Sequence, residues 1–236
     1  MEHIITHTRH ADLEQLAVRL GVSFHNISLL DEALTHPSFT NESKDSVPHN
    51  ERLEFLGDAV LELASSTYLY MRFPTYSEGA LTKMRASLVQ SNTLARLSRK
   101  LGLGAYLRMG RGELRGGGAE RQNNLENAFE AVIGAIYLDS GWQTAKEYVC
   151  RQLSAEAEHI APAQVMRDYK TALQEYVQKD HRKTISYVLV SESGPDHDKR
   201  FTTRVLIDDQ SMGEGTGRSK KEAEQHAAAQ ALERLR

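Results

Sequence analysis

The chain has 236 residues, with 29 Lys and Arg against 32 Asp and Glu, a formal net charge of −3. Its 40% hydrophobic and 26% charged content excludes general disorder, and its length calls for one large or two smaller domains. The slight acidic excess argues against a nucleic-acid binder of the uniformly basic kind. A single cysteine, Cys150, excludes an internal disulfide and a multi-Cys zinc site and fits a reducing cytoplasm. No apolar run reaches the roughly 18 residues of a membrane span, and the opening MEHIITHTRHADLEQ lacks a secretory pattern.

From about residue 11 to 160 the pattern is helical. Leu13, Leu16, Val18 and Leu20 open an amphipathic stretch that Gly21 stops. A second helix is expected over Ile27 to Thr35, ahead of Pro37, and a long one from Asn50 to Phe73, stopped by Pro74. Another runs from Gly79 to about Leu101. The stretch holding Gly102, Gly104, Gly110, Gly112, Gly116, Gly117 and Gly118 reads as loop. Helices then follow from Asn123 to Leu138 and from Thr144 to about His159, separated by Gly141. The region 155–167 reads as a linker.

Composition changes after Pro162. A helix over 168–179 precedes two alternating β-branched segments, 184–190 and 201–207, with a Gly-Pro turn between them and a short third strand in SMGEGTGR. An Ala-rich helix from Lys220 to Leu235 closes the chain. The expected architecture is an all-α N-terminal domain, residues 1–161, followed by a small α+β domain of α-β-β-β-α order, residues 162–236.

Two helices carry candidate chemistry. At 100° per residue, Leu53, Leu56, Val60, Leu63, Ala64, Thr67 and Met71 form a core face, and Glu51, Glu54, Asp58 and Glu62 a stripe with no intervening base. Like charges one turn apart oppose the helix slightly, so the stripe is either a solvated acidic face or a site for a hard cation such as Mg²⁺, which prefers oxygen ligands. Phe55 sits on the carboxylate side, where an aromatic marks a contact surface or packs under a loop. Gly57, costly inside a helix by about 1 kcal/mol, is tolerable where something approaches the backbone. In the later helix Asn123, Asn127, Glu130 and Gly134 share one face and Leu125, Phe129, Val132 and Ile136 the buried one. Near the C-terminus, Ser219 and Glu222 form a capping box, and Lys220 and Lys221 in that first helical turn oppose the helix dipole unless an anion sits there.

These residues carry a family resemblance. NERLEFLGD at 50–58 resembles the signature of the ribonuclease III family. LLDEALTHPSF at 29–39, FPTYSEGALTKMRASLV at 73–89 and LENAFEAVIGAIYLDSG at 125–141 resemble its other nuclease blocks. DYKTALQE at 168–175, GPDHDKRF at 194–201 and GRSKKEAEQHAAAQAL at 217–232 resemble its double-stranded RNA-binding domain. The resemblance implies a homodimeric, cytoplasmic endoribonuclease that cuts double-stranded RNA with Mg²⁺, or Mn²⁺ in its place. It implies 5′-phosphate and 3′-hydroxyl products and a part in processing rRNA and other RNAs.

Carried over by position, Asp58 and Glu130 are catalytic, and Glu54, Asp58, Asn127 and Glu130 form the metal set. Glu51 and Glu78 are auxiliary acidic positions, and Phe55 packs across the dimer interface. Gln174, Glu175, His197, Arg218, Lys220 and Lys221 meet RNA. One position departs: the family most often has aspartate where this chain has Asn127, whose amide oxygen can ligate but brings no charge. That leaves a working natural variant, a weak one or an engineered change; the intact remaining positions favour the first. The alternative function is a dimeric, non-catalytic double-stranded RNA-binding protein with a decayed nuclease site.

The net charge conceals two opposed regions. Residues 31–62 hold eight acidic against two basic side chains, and 83–121 nine basic against two acidic. The first includes Glu54 and Asp58; the second runs into the Gly-rich stretch, which could follow an RNA backbone.

Overall fold

The computed structural model describes residues 5–43, 47–178, 183–195 and 198–235, with backbone alone for 161–168. The chain divides into two compact units, Met1–Pro74 with Arg85–Ala157, and Thr75–Met84 with Glu158–Arg236. The first is helical; the second contains the sheet.

Helix α1, His7–Leu20, is capped by Thr6 and ends at Gly21, whose φ of 67° is left-handed and whose N–H closes on Ala17 and Val18. Its core face is Leu13, Leu16, Ala17 and Leu20, whereas Val18 is 82% exposed. One residue past Ala17 is about 100° around the helix, which takes Val18 off the face expected of it. After α2, Ile27–Ala33, Pro37 does not simply follow a helix: it begins α3, Pro37–Glu42, where its missing N–H costs nothing.

Helix α4, Glu51–Arg72, buries Leu53, Gly57, Val60, Leu61, Ala64, Ser65 and Leu69. Leu63 and Met71, expected in the core, are exposed, so the buried face is rotated toward Leu61 and Leu69. The helix expected over 79–101 is two, α5, Glu78–Leu88, and α6, Ser91–Leu101, separated by an extended Gln90 (φ −68°, ψ 148°). In one unbroken helix the buried Leu94 and Leu101 would lie roughly 80–140° around the axis from Met84 and Leu88. The break lets both sets reach the core.

The Gly-rich stretch, expected as loop, is built of short helical turns, Leu103–Tyr106, α7 at Arg111–Arg115, and Gly118–Glu120. It is tied to the α2–α3 corner by a bridge between Thr35 and Arg108 and by the buried Asp31, which pairs with Arg9 and Arg108, each at 2.7 Å. Helix α8, Gln122–Val177, is interrupted at Gly141 (φ 78°, ψ −179°). Its backbone is helical through 155–167, the stretch read as a linker, and the division between the two units, Ala157/Glu158, falls within it.

In the second unit, β1 (Ile185–Ser193), β2 (Arg200–Ile207) and β3 (Gln210–Gly217) form an antiparallel sheet in that order. The tight β2–β3 turn places Asp208 and Asp209 at φ 49° and 63°, the twist that two-residue hairpins need. Helix α9, Lys220–Leu235, lies on the sheet. Gly213, Gly215 and Gly217 alternate along the inner face of β3, and a Cβ at any of them would collide with α9 at Ala223 to Ala231. Leu173 and Val177 complete this core with Val205, Ile207, Ala227, Ala228, Ala231 and Leu232. Truncating Leu173 there would cost about 2–5 kcal/mol. Among the described residues no helix is long and apolar enough to cross a membrane.

Candidate active site

Helices α4 and α8 meet backbone against backbone. A Cβ on Gly57 would collide with the carbonyl oxygen of Glu130, and one on Gly134 with that of Leu53. This explains a glycine inside α4: the backbone that approaches it is that of α8. The crossing sets Glu130 opposite Gly57, with Glu54 and Asp58 on either side of that glycine. Glu54, Asp58, Asn127 and Glu130 thus line one cleft of about 650 Å³, with His36, Pro37, Asn50, Glu51 and Phe55 as its remaining wall.

The acidic stripe is divided by its neighbours. Glu62 pairs with Arg85 of α5 at 3.0 Å, and Glu51 has His49 at 3.6 Å. Among the described residues the side chains of Glu54, Asp58 and Glu130 have neither a hydrogen bond nor an ion pair. Half-burial first, then the charges of Asp58, Glu126 and Glu54, push the Glu130 carboxyl up to about 8. Glu54 is raised by its own desolvation, then by Glu51, Glu126 and Asp58. Oxygen donors that repel one another in a cleft without a protein counter-charge suit a hard divalent cation. They face the cleft without closing on one point: among the described residues no three His, Cys, Asp or Glu side chains converge at ligating distance.

Residues 26–157 match the family model described as Ribonuclease-III-like, and 169–235 that of the double-stranded RNA binding motif. Ribonuclease 3 of Desulforamulus reducens is 50% identical over 222 residues, which is 94% of this chain and 90% of that protein. Ribonuclease 3 of Bdellovibrio bacteriovorus is 44% identical, covering 93% of this chain and 94% of its own. The chain belongs to the ribonuclease III family. It is accordingly an enzyme, an endoribonuclease acting on double-stranded RNA. A structure of the ribonuclease III nuclease domain of Campylobacter jejuni, described for flexibility in the region involved in dimer formation, is also similar. It is 41% identical over 61% of this chain and 96% of its own, with a TM-score of 0.56.

Phe55 is 81% exposed at the cleft edge, so among the described residues no loop covers it. Glu78 opens α5, where its carboxylate accepts the Thr82 hydroxyl at 2.9 Å; it is not among the residues lining the cleft. One acidic residue escaped the sequence reading. Glu126 accepts the Ser91 hydroxyl, itself held by the Gln122 amide at 2.8 Å, and its charge bears on both Glu54 and Glu130. The signal available was its place one turn before Glu130, four residues away on the same helix.

In the second unit, Gln174 and Glu175 are exposed on the last turns of α8, with Lys170 nearby on the wall shared by Gln174. Arg218, Lys220 and Lys221 are exposed at the start of α9. The capping box forms with one variation: Glu222 N–H donates to Ser219 Oγ at 3.2 Å, while the Glu222 carboxylate accepts the Arg218 N–H at 2.7 Å. His197 lies outside the described residues.

Proposed function

We propose that the cleft between α4 and α8 hydrolyses phosphodiester bonds of RNA duplexes with Mg²⁺, Mn²⁺ serving in its place, leaving 5′-phosphate and 3′-hydroxyl ends. The observation that carries this reading is the set of carboxylates in one cleft without a cationic partner among the described residues. Bound Mg²⁺ supplies an activated water at neutral pH and charge relief at the phosphate. Glu54, Asp58 and Glu130 would hold it, and the Asn127 amide would ligate or orient water as a neutral group. Glu126 adds back, from one residue earlier, the negative charge that Asn127 does not carry. Glu51 borders the same cleft and tunes its field.

We assign RNA capture to 162–236. Gln174, Glu175 and His197 would reach minor grooves, and Arg218, Lys220 and Lys221 the phosphates between them, since A-form duplexes are read by shape, 2′-hydroxyls and phosphates. The exposed Phe55 supports a homodimer formed on the α4 side of a nuclease domain that we take as 1–161. The curated bacterial relatives and the lone Cys150 suit a cytoplasmic enzyme that processes rRNA and other transcripts.

The test is a long RNA duplex incubated with the wild type, Asp58→Asn and Glu130→Gln. Mg²⁺-dependent cutting by the wild type is expected, with cutting abolished and duplex binding retained in both variants. Cleavage that survives EDTA, or variants that cut at the wild-type rate, would overturn the assignment.

A further inference from the structure

The walls of the cleft are rich in acceptors, and a phosphodiester is itself an acceptor. Ionised carboxylates donate nothing, so hydrogen-bond donors to a strand of RNA held there come from the rest of the wall, the amides of Asn50 and Asn127 and the ring of His36. His36 supplies one in a fixed form. Its Nδ1 accepts the Ser38 N–H at 3.1 Å, capping α3, and lies 2.8 Å from Ser38 Oγ. Ser38 Oγ in turn accepts the Gly110 N–H at 2.9 Å. With a backbone donor already aimed at Nδ1, that nitrogen is the acceptor, and the Ser38 N–H and hydroxyl share its single lone pair. The network therefore places the ring proton on Nε2.

Nε2 has no partner among the described residues, and His36 lines the same cleft as Glu54, Asp58 and Glu130. The ring is carried on a rigid base. His36 N–H donates to the Arg108 carbonyl at 2.9 Å, Arg108 N–H to the Leu34 carbonyl at 2.8 Å, and the Arg108 guanidinium pairs with buried Asp31 at 2.7 Å. The Gly110 N–H that holds Ser38 Oγ comes from 72 residues further along the chain, so the ring's orientation depends on tertiary packing.

We propose that the Nε2–H of His36 donates to a non-bridging phosphate oxygen of the RNA strand in the cleft, making His36 a substrate-positioning and specificity residue for a polyanion in an acidic site. This rests on the reading of the cleft as the site of duplex cleavage.

Two variants separate the ring's two ends. His36→Asn keeps an acceptor near the Nδ1 position and removes the outer donor. His36→Gln keeps a donor near the Nε2 position and removes the cap. With a single-site RNA duplex and Mg²⁺, His36→Asn is expected to lower kcat/KM about ten- to a hundredfold, the range for a hydrogen bond to a charged group. Its Tm and its calorimetric Mg²⁺ affinity should match the wild type. His36→Gln is expected to recover most of the activity with a lower Tm. Independently of any variant, ¹⁵N NMR of the wild type should show Nε2–H, with a resonance that shifts when an uncut duplex binds in Ca²⁺.

An Nδ1–H tautomer, a His36→Asn enzyme as active as wild type, or a loss that follows Tm or Mg²⁺ affinity would each overturn the role of His36 alone. A wild type that leaves the duplex intact in Mg²⁺ overturns the reading of the cleft and this inference with it.

Discussion

The crossing of α4 on α8 and the seat of α9 on β3 use the same device to opposite ends. Both bring backbones together across glycines, Gly57 and Gly134 in the nuclease unit, Gly213, Gly215 and Gly217 in the second. In the second unit the facing residues are mainly alanines, with the stems of Glu222 and His226, and the close approach yields apolar packing. In the nuclease unit the residues beside the crossing are Glu54, Asp58 and Glu130, and closeness forces like charges together. One contact consolidates a core; the other holds repelling groups where a cation can use them. Steric fit is what makes the second arrangement tolerable, because the helices cannot separate to relieve the charge without losing buried contact along α4.

The comparison can be broken most strongly at the glycines. Gly57→Ala should destabilise the nuclease unit by about 3 kcal/mol, the upper range for overpacking, and abolish cleavage by displacing Glu130 from Glu54 and Asp58. Gly215→Ala carries a similar steric load but should weaken duplex binding while leaving kcat at saturating RNA within a few-fold. Calorimetric melting with single-turnover cleavage checks both. The start of α9 comes next. Lys220→Ala with Lys221→Ala should weaken binding of every duplex sequence alike and lower the salt slope of log K by about 1.4–1.8, read from filter binding at several ionic strengths.

A smaller effect sharpens the electrostatic half. Burial and like charges raise Glu130 from 4.5 to about 8, so in the metal-free folded state it binds a proton that the unfolded chain releases. Its contribution to stability is therefore complete below 4.5 and is lost as pH rises toward 8. Metal-free wild type should lose Tm across that window relative to Glu130→Gln, and Mg²⁺ should restore it by mass action. The smallest effect is at Asn127. Asn127→Asp should lower the Mg²⁺ needed for half-maximal cleavage several-fold, since ligand charge tunes affinity for a hard cation. An unchanged Mg²⁺ titration would place Asn127 outside the metal's reach.

Much of the chain's local structure was legible in its residues. Gly21 stops α1, the capping box starts α9, and alternating β-branched residues make β1 and β2, because these are contacts between near neighbours. The candidate carboxylates were legible too, as a stripe on one helix and a shorter polar face on another. Errors fell where an apolar residue's fate depends on distant partners. Val18, Leu63 and Met71 fit a helical stripe yet lie outside, and Leu94 and Leu101 required a break at Gln90 that the continuous helical pattern of 79–101 did not announce. The Gly-rich stretch looked like loop because its helical turns depend on anchors elsewhere, such as Asp31 and Thr35.

The amino-acid order by itself determined most of the element types, the succession of a helical part and an α-β-β-β-α part, and which carboxylates were available. Only tertiary structure decided which of them share a cleft. Glu62 is removed from the set by Arg85, Glu126 is held by Ser91 outside the cleft lining while its charge bears on Glu54 and Glu130, and His36 acquires a defined donor from contacts to Ser38 and Gly110. The physical reason is range: backbone propensity and capping act within a helical turn, whereas charge and hydrogen-bond partnership depend on residues tens of positions apart that meet only when the helices pack.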